Sequence, residues 1–290
     1  VTRQTGGSVF FLTDYGYTDE FAGVVRAVVQ RCAPGAPVVD LTHDVEPFDV
    51  RAGALALSRA APHLGPGVVL AVVDPDVGTD RRAVAVSVAG GGTGGGPRHF
   101  VGPDNGLLPW ALDVLGGPGP AVALPGAPGA PGGPTFDGRD VFAPAAARLW
   151  SGSALEDLGP AVDPDTLVRL TAPRLSVQPG GLEAEVQWVD RFGNVQLAAR
   201  PDDADAAGLG AVVEVHGAGP VRSARRVPSF AHLGPGTLGV VVDANGHLAL
   251  VCDRSSAATV LGVRAGDVVS LRTVVPGRPG PARRPGRPAP

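Results

Sequence analysis

The chain of 290 residues contains no lysine, isoleucine or methionine, and all 24 of its basic residues are arginine. Without lysine it has neither a P-loop of the G-K-[ST] kind nor a Schiff-base amine. Cysteine is almost absent: Cys32 and Cys252 lie far apart and show no C-x-x-C or Cys/His ligand spacing. Neither a zinc site nor a disulfide framework is expected, and the two read as reduced, partly buried thiols. No apolar run approaches the ~18 residues of a membrane span, and V-T-R-Q-T-G-G at the start has no apolar leader core. A cytoplasmic protein without membrane contact is the expectation. The formal net charge is −4, so there is no basic field for a polyanion, which argues against nucleic acid as a partner. Asparagine is scarce as well: Asn105 and Asn245 sit in the turn sequences P-D-N-G and A-N-G, whereas Asn194, in D-R-F-G-N-V, borders a strand-like segment.

What is present reads as a globular chain long enough for two domains, with 44% hydrophobic residues. The apolar run V-F-F-L-T-D is followed by F-A-G-V-V-R-A-V-V-Q-R, apolar at helical spacing. The alternation continues through A-P-V-V-D-L, V-R-A-G-A-L-A-L-S-R-A-A, G-V-V-L-A-V-V-D-P and R-A-V-A-V-S-V-A. Strands apolar on both faces, alternating with helices, predict an α/β domain over 8–170 whose mostly parallel sheet is covered on both sides. Three of its strands are expected to end in Asp14, Asp40 and Asp74, at the edge where open α/β sheets bind ligands. The stretches 89–97 and 116–134 are too rich in Gly and Pro to hold regular structure throughout, and read as inserted loops. Beyond residue 174 the texture becomes short alternating segments with closely spaced turns, which predicts an antiparallel sandwich or small barrel over 175–275. D-A-N-G-H within it is a hairpin signal. Residues 276–290, rich in Pro, Gly and Arg, read as a disordered tail.

Three charged segments are candidates for chemistry, each with a plainer alternative. Asp14 closes its strand in F-F-L-T-D-Y-G, and Asp19 and Glu20 follow before the next helix. A strand-end carboxylate accepts the two hydroxyls of a ribose diol, whereas Thr18 or Asp19 equally suits a helix cap. V-V-D-P-D-V-G-T-D-R-R turns sharply at Pro75 and Gly78, so that an arginine can fold back on Asp74 and the pair hold a water; a surface ion pair is the alternative. In D-R-F-G-N-V an aromatic ring and an amide can stack on and hydrogen-bond a purine edge while Asp190 takes an ammonium group, or the segment is a turn before a strand.

Taken together and in order, F-L-T-D-Y-G-Y-T-D-E-F-A-G-V, V-V-D-L-T-H-D-V, V-V-D-P-D-V-G-T-D-R-R, H-F-V-G-P-D-N-G-L-L, T-F-D-G-R-D-V-F-A-P-A-A-A and V-D-R-F-G-N-V resemble one family, from about residue 9 to 272. It is that of the S-adenosyl-L-methionine (SAM) hydroxide adenosyltransferases, or SAM hydrolases, related to the fluorinase and chlorinase enzymes. The resemblance implies an N-terminal α/β domain joined to a β-barrel-like C-terminal domain. It also implies a homotrimer with SAM bound at subunit interfaces, and no metal or further cofactor. It assigns the ribose to Asp14, the substrate-contacting loop to Asp19, Glu20 and Phe21, and the methionine ammonium and adenine edge to Asp190 and Asn194. Phe192 lies beside the ring, Phe230 is a second stacking face, and the segment Asp253 to Ala257, including Ser256, corresponds to the backbone that reads adenine.

The implied reaction is attack of water or hydroxide on ribose C5′, giving adenosine and L-methionine. In hydrolytic members an Asp, an Arg and a His hold the nucleophile. Asp74 and Arg81 match the first two, but the third place is Asp137, in T-F-D-G-R-D. Histidine shares a proton near neutral pH, while Asp ordinarily carries a full charge. Two carboxylates around one water repel unless Arg81 or Arg139 lies between them. Asp137 is then a general base, or Asp74 and Arg81 suffice with lower activity, or the chain is a catalytically weak SAM- or adenosine-binding protein. A halide-using adenosyltransferase is the third reading, disfavoured because Asp137 would expel an anion.

Overall fold

The computed structural model describes residues 7–91, 95–96, 98–127 and 133–274. The expected tail at 276–290 therefore lies outside the described residues, as do parts of both Gly/Pro-rich stretches. The chain divides into two compact units, the change falling between Thr171 and Ala172.

The first unit runs β1 (Ser8–Thr13), α1 (Phe21–Cys32), β2 (Val38–Thr42), α2 (Val50–Ala60), β3 (Gly67–Val72), β4 (Ala83–Val88), β5 (His99–Pro103), α3 (Pro109–Val114), β6 (Pro118–Leu124), α4 (Ala143–Trp150) and β7 (Ala161–Val162). These strands form one sheet in the order β2-β1-β3-β5-β4-β6-β7. The first four are parallel, and β4, β6 and β7 continue the sheet antiparallel. Strand period explains why the strands are apolar throughout. Val9 and Phe11 of β1, with Val68, Leu70 and Val72, face a core closed by α1 and α4. Phe10 and Leu12, with Val69 and Ala71, face the opposite core, closed by α2 and α3.

Two expectations are corrected here. Part of the stretch read as irregular, Pro118–Leu124, is strand β6, because pairing with both β4 and β7 outweighs its Gly/Pro content. Its two prolines are tolerated at the start of the strand, where the register with β4 shifts. Asp40 lies within β2 rather than at its end, and pairs with Arg26 at 2.8 Å.

The second unit contains β8 (Leu175–Gln178), β9 (Gly181–Val189), β10 (Val195–Leu197), α5 (Pro201–Ala206), β11 (Val212–His216), β12 (Arg222–Arg226), β13 (Leu238–Val242), β14 (Leu248–Cys252), α6 (Ala257–Leu261) and β15 (Val268–Thr273). The strand order β10-β14-β13-β12-β11-β15-β9 closes on itself because β9 also pairs with β10, while β8 hangs on β9 outside the ring. The choice between sandwich and barrel thus falls to a closed seven-stranded barrel, antiparallel except between β12 and β13. Its interior is filled by alternate residues, including Leu182, Ala184 and Val186 of β9 and Val195 and Leu197 of β10. D-A-N-G-H is the β13–β14 hairpin, with Asn245 N donating to Asp243 Oδ1 at 2.8 Å and Gly246 at φ 76°. Cys252 is buried, but Cys32 is exposed at the end of α1, unlike the partly buried thiol expected there.

Candidate functional site

At the carboxyl ends of β1 and β3 the first unit opens into a cavity of about 700 Å³ lined by Asp14, Tyr15, Asp19, Phe21, Phe48, Asp74 and Asp137, among others. Sheet order reverses around β1, since β2 follows on one side and β3 on the other, and such switch points leave a crevice beyond the strand ends. The turn after β1 is pinned from within. Buried His43 pairs through Nδ1 with Thr13 Oγ1 at 2.8 Å, and Thr13 Oγ1 accepts from Tyr15 N at 3.1 Å. Gly16 N donates to His43 O at 2.7 Å. Asp14 caps no helix. Its Oδ2 accepts from the backbone of Phe48, 34 residues away, at 2.9 Å. The capping alternative for Asp19 is likewise not what forms: the N-cap of α1 is Glu20, which makes no side-chain cap bond, and Asp19 lines the cavity instead.

Asp74 and Asp137 meet through one arginine. Arg81 Nε donates to Asp74 Oδ1 at 2.8 Å and its Nη2 donates to Asp74 Oδ2. The same Nη2 donates to Asp137 Oδ2 at 2.5 Å, across 56 residues of sequence. Arg81 approaches from a neighbouring cavity of about 770 Å³ that it lines with Arg82 and Asp140, and its guanidinium stands 5.2 Å from the Phe142 ring centre. The condition for two carboxylates to face one water, a cation between them, is met by Arg81; Arg139 is engaged with Asp140 at 2.7 Å. Side-chain exposure grades the cluster: 6% for Asp74, 9% for Arg81 and 22% for Asp137.

Burial pushes Asp74 above the usual carboxylate range, assisted by the charges of Asp137 and Asp76 and opposed by Arg81. Burial by itself would lower Arg81, but its hydrogen bonds and ion pairs with Asp74 and Asp137 leave it raised. Arg81 is therefore a permanent cation. Tyr15 faces the same charges; burial first, then Asp14, Asp74 and Asp137, hold its phenol far above its ordinary value, so it is a neutral donor at any working pH.

T-F-D-G-R-D acquires its geometry from a π-helical turn, Gly138–Phe142, that begins immediately after Asp137 and runs into α4. Arg139 N and Asp140 N both donate to Phe136 O, which ties the turn. A Cβ on Gly138 would lie 2.2 Å from Tyr15 Oη, so only glycine admits the phenol here. Asn105, read as a turn residue, also donates from Nδ2 to Val73 O at 2.8 Å and thereby fixes the strand end from which Asp74 projects.

In the second unit a cavity of about 520 Å³ is lined by Trp188, Asp190, Phe192, Asn194, Gln196, Phe230 and Asp243, among others. Asp190 organises its own turn: Oδ1 accepts from Phe192 N and Asn194 N, each at 2.9 Å, and Oδ2 accepts from Asn194 Nδ2 at 2.7 Å. Phe192 and Phe230 are exposed rings, at 75% and 48%. The segment Asp253–Ala257 packs behind this turn. A Cβ on Gly193, at φ 82°, would lie 2.1 Å from Ser256 Oγ, and Ala258 N donates to Gly193 O at 3.0 Å. Ser256 caps α6 through Thr259 N, and Ala257 is fully buried.

The structure thus gathers Asp14, Asp19, Phe21, Asp74 and Asp137 around one cavity, with Arg81 behind the last two, and Asp190, Phe192, Asn194 and Phe230 around another. Glu20 lines neither, nor do Asp253, Ser256 and Ala257. Sequence reasoning missed Tyr15, Phe48, Gln196 and Asp243. Phe48 carries the plainest signal, a non-glycine residue at φ 70° with its ring 71% exposed at the cavity, but φ is visible only in the fold. Among the described residues no group of three or more His, Cys, Asp or Glu side chains could hold a metal ion, and no helix is long and apolar enough to cross a membrane.

Fold and sites together define a class: an α/β unit with carboxylates at the mouths of adjacent parallel strands, followed by a closed barrel carrying an aromatic and amide-lined cavity. Residues 9–159 match the model of the SAM hydroxide adenosyltransferase N-terminal domain, and residues 184–270 that of the SAM hydroxide adenosyltransferase C-terminal domain. The chain belongs to the SAM hydroxide adenosyltransferase family. It is 46% identical over 261 residues to an (R)-S-adenosyl-L-methionine hydrolase of Salinispora tropica, covering 89% of this chain and 95% of that protein. A fluorinase of an Actinoplanes species is more distant, 27% identical over 287 residues, with 91% and 96% covered. Among solved structures, an uncharacterized conserved protein from Thermotoga maritima superposes with a TM-score of 0.82 at 32% identity, covering 91% of this chain and 99% of that one.

Proposed function

We propose that the chain hydrolyses SAM to adenosine and L-methionine by in-line attack of water on ribose C5′. The C5′–O bond forms as the C5′–S bond breaks, its electron pair passing to sulfur, so the sulfonium leaves as a neutral thioether. The leaving group is already activated, and the protein's task is to desolvate and aim one water. The observation that carries this reading is the Asp74–Arg81–Asp137 cluster at the mouth of the Asp14 cavity.

In this reading Asp74, the more buried of the cluster's two carboxylates and the one raised by burial, accepts the proton that the attacking water sheds. Arg81 holds both carboxylates in place and opposes the rise of Asp74, and Asp137 serves mainly as Arg81's second anchor. Asp14 takes the ribose diol. Phe192, Phe230 and Asn194 take adenine, and Asp190, whose oxygens already accept three bonds in its own turn, orients Asn194. Asp19 and Phe21 shape the cavity wall. No metal or further cofactor takes part, and the working form is a cytoplasmic homotrimer whose sites are completed at subunit interfaces. Light scattering giving a monomer at assay concentration would refute the trimer.

Incubating purified protein with SAM and following adenosine by chromatography tests the reaction. Adenosine forming across pH 6 to 9 supports it; none, with SAM bound tightly, overturns it in favour of a binding protein. A halide-using enzyme would give a 5′-halogenated nucleoside on adding halide. Two carboxylates at the nucleophile's position disfavour that outcome, because an anion there meets like charge.

A further inference from the structure

We propose that His43 is a positioning residue for the sugar diol: acting through Thr13, it holds the turn that aims Asp14 into the first unit's cavity. The diol as Asp14's ligand rests on the function proposed above; the positioning rests on how the segment after β2 moulds the turn after β1.

The motif V-V-D-L-T-H-D-V supplies nothing directly to the proposed chemistry. It forms β2 and leads toward α2, and the segment 43–48 holds the 13–16 turn at three points. The His43 imidazole meets Thr13 Oγ1 at 2.8 Å, and that hydroxyl accepts from Tyr15 N at 3.1 Å. His43 O accepts from Gly16 N at 2.7 Å, and Phe48 N donates to Asp14 Oδ2 at 2.9 Å. Asp14 is thus bracketed by held neighbours on both sides and tethered at one carboxylate oxygen, on the cavity that it lines.

The imidazole is itself fixed. His43 and Thr13 are fully buried, and the ring stands edge-on to Phe11 and Tyr17, with centroids 4.6 and 5.1 Å away. Its Nε2 lies 3.2 Å from Asp40 Oδ1, an ion-pair distance rather than an aligned hydrogen bond, since neither atom has a hydrogen-bond partner among the described residues. A bare Nε2 would set its lone pair against the carboxylate, so Nε2 carries a proton. In the neutral ring Nδ1 then accepts from the Thr13 hydroxyl, and in the charged ring Nδ1–H donates to it, so Thr13 is held in either state. Asp40 Oδ2 is steadied in turn by Arg26 of α1 at 2.8 Å. This chain of contacts shares no residue with the Asp74–Arg81–Asp137 cluster.

A carboxylate that must meet two hydroxyls at once is sensitive to small displacement. Removing the Thr13 hydroxyl releases the turn at its first point and leaves Tyr15 N without its acceptor. That loss falls on the diol, whereas a general loosening weakens every ligand alike.

The test is calorimetric titration of the intact protein with adenosine and with 2′,3′-dideoxyadenosine, which lacks the diol. The unmutated protein should bind adenosine about 100-fold more tightly, and Thr13→Val should narrow that ratio about 10-fold by weakening adenosine alone. Thr13→Ser, which keeps the hydroxyl, should restore it. If Thr13→Val fails to fold by circular dichroism, His43→Gln carries the same prediction. Equal binding of the two nucleosides by the unmutated protein, or no binding of either, overturns the proposal whether or not a variant folds. An unchanged ratio in a folded variant, including one that weakens both nucleosides equally, overturns it as well. A diol preference that narrows as stated, without SAM cleavage, would sink the hydrolase reading and leave this one standing. SAM cleavage with an unchanged ratio in Thr13→Val would do the reverse.

Discussion

Neutralising the two carboxylates one at a time separates their roles. Asp74 takes two N–H groups of Arg81, through Oδ1 and Oδ2, and is 6% exposed; Asp137 takes one and is 22% exposed. Asp137→Asn keeps an oxygen facing Arg81 Nη2 and leaves the two bonds to Asp74 untouched. It exchanges one charge-assisted hydrogen bond for a neutral one, a loss of about 1 kcal/mol, which corresponds to roughly 5- to 10-fold in kcat. Asp74→Asn removes the group proposed to take the proton and half of Arg81's paired grip, for which general-base losses of about 10² to 10⁴-fold are the guide. Single-turnover formation of adenosine from SAM, measured at saturating substrate for both variants, gives the comparison. A loss in Asp137→Asn as large as that in Asp74→Asn would refute the anchoring role and make Asp137 the base. No loss in Asp74→Asn would refute the whole assignment.

The acid limb of turnover should lie above the ordinary carboxylate value of 3.8, because Asp74 must be ionised and burial raises it. The charge of Asp137 adds to that rise, so Asp137→Asn should move the limb to lower pH; a limb that stays put in a pH–rate profile refutes the coupling. The linked effect on stability has a definite sign. With the folded value raised, the native state binds the proton more readily than the unfolded chain, so Asp74's penalty is present above the folded value and relieved as pH falls through it. Gly138→Ala should cost about 1 to 3 kcal/mol and lower turnover, because its Cβ would lie 2.2 Å from Tyr15 Oη; an unchanged thermal midpoint contradicts the close approach. Phe48→Gly should relieve about 1 kcal/mol or more of left-handed backbone strain at φ 70° while raising KM for SAM, and a falling midpoint with unchanged KM contradicts both halves.

Much of the architecture was legible from residue order. The alternation of doubly apolar strands with helices marked the α/β unit, and short alternating segments marked the β unit, because both periods arise between near neighbours in the chain. Asp14, Asp74 and the D-R-F-G-N-V turn were equally legible, since each follows or precedes an apolar strand. Pro118–Leu124 was not: its composition argues for a loop, and only pairing on both sides makes it a strand. Strand periodicity left barrel and sandwich open, the family resemblance pointed to the barrel, and the closure itself turns on β9 reaching a three-residue strand, β10.

The site itself divides the same way. The sequence by itself supplied the residue types, including the aspartate of T-F-D-G-R-D. Tertiary structure alone decided what that aspartate touches, by bringing Asp137 onto Arg81 across 56 positions. It likewise set Phe48 on Asp14 across 34 positions and Gln196 on Asp243 across 47. Periodicity is written in the chain because it is local. A shared guanidinium, a left-handed backbone at a cavity and a locked amide are contacts between distant segments, and they exist only after the sheet and the barrel have set the path of the chain between them.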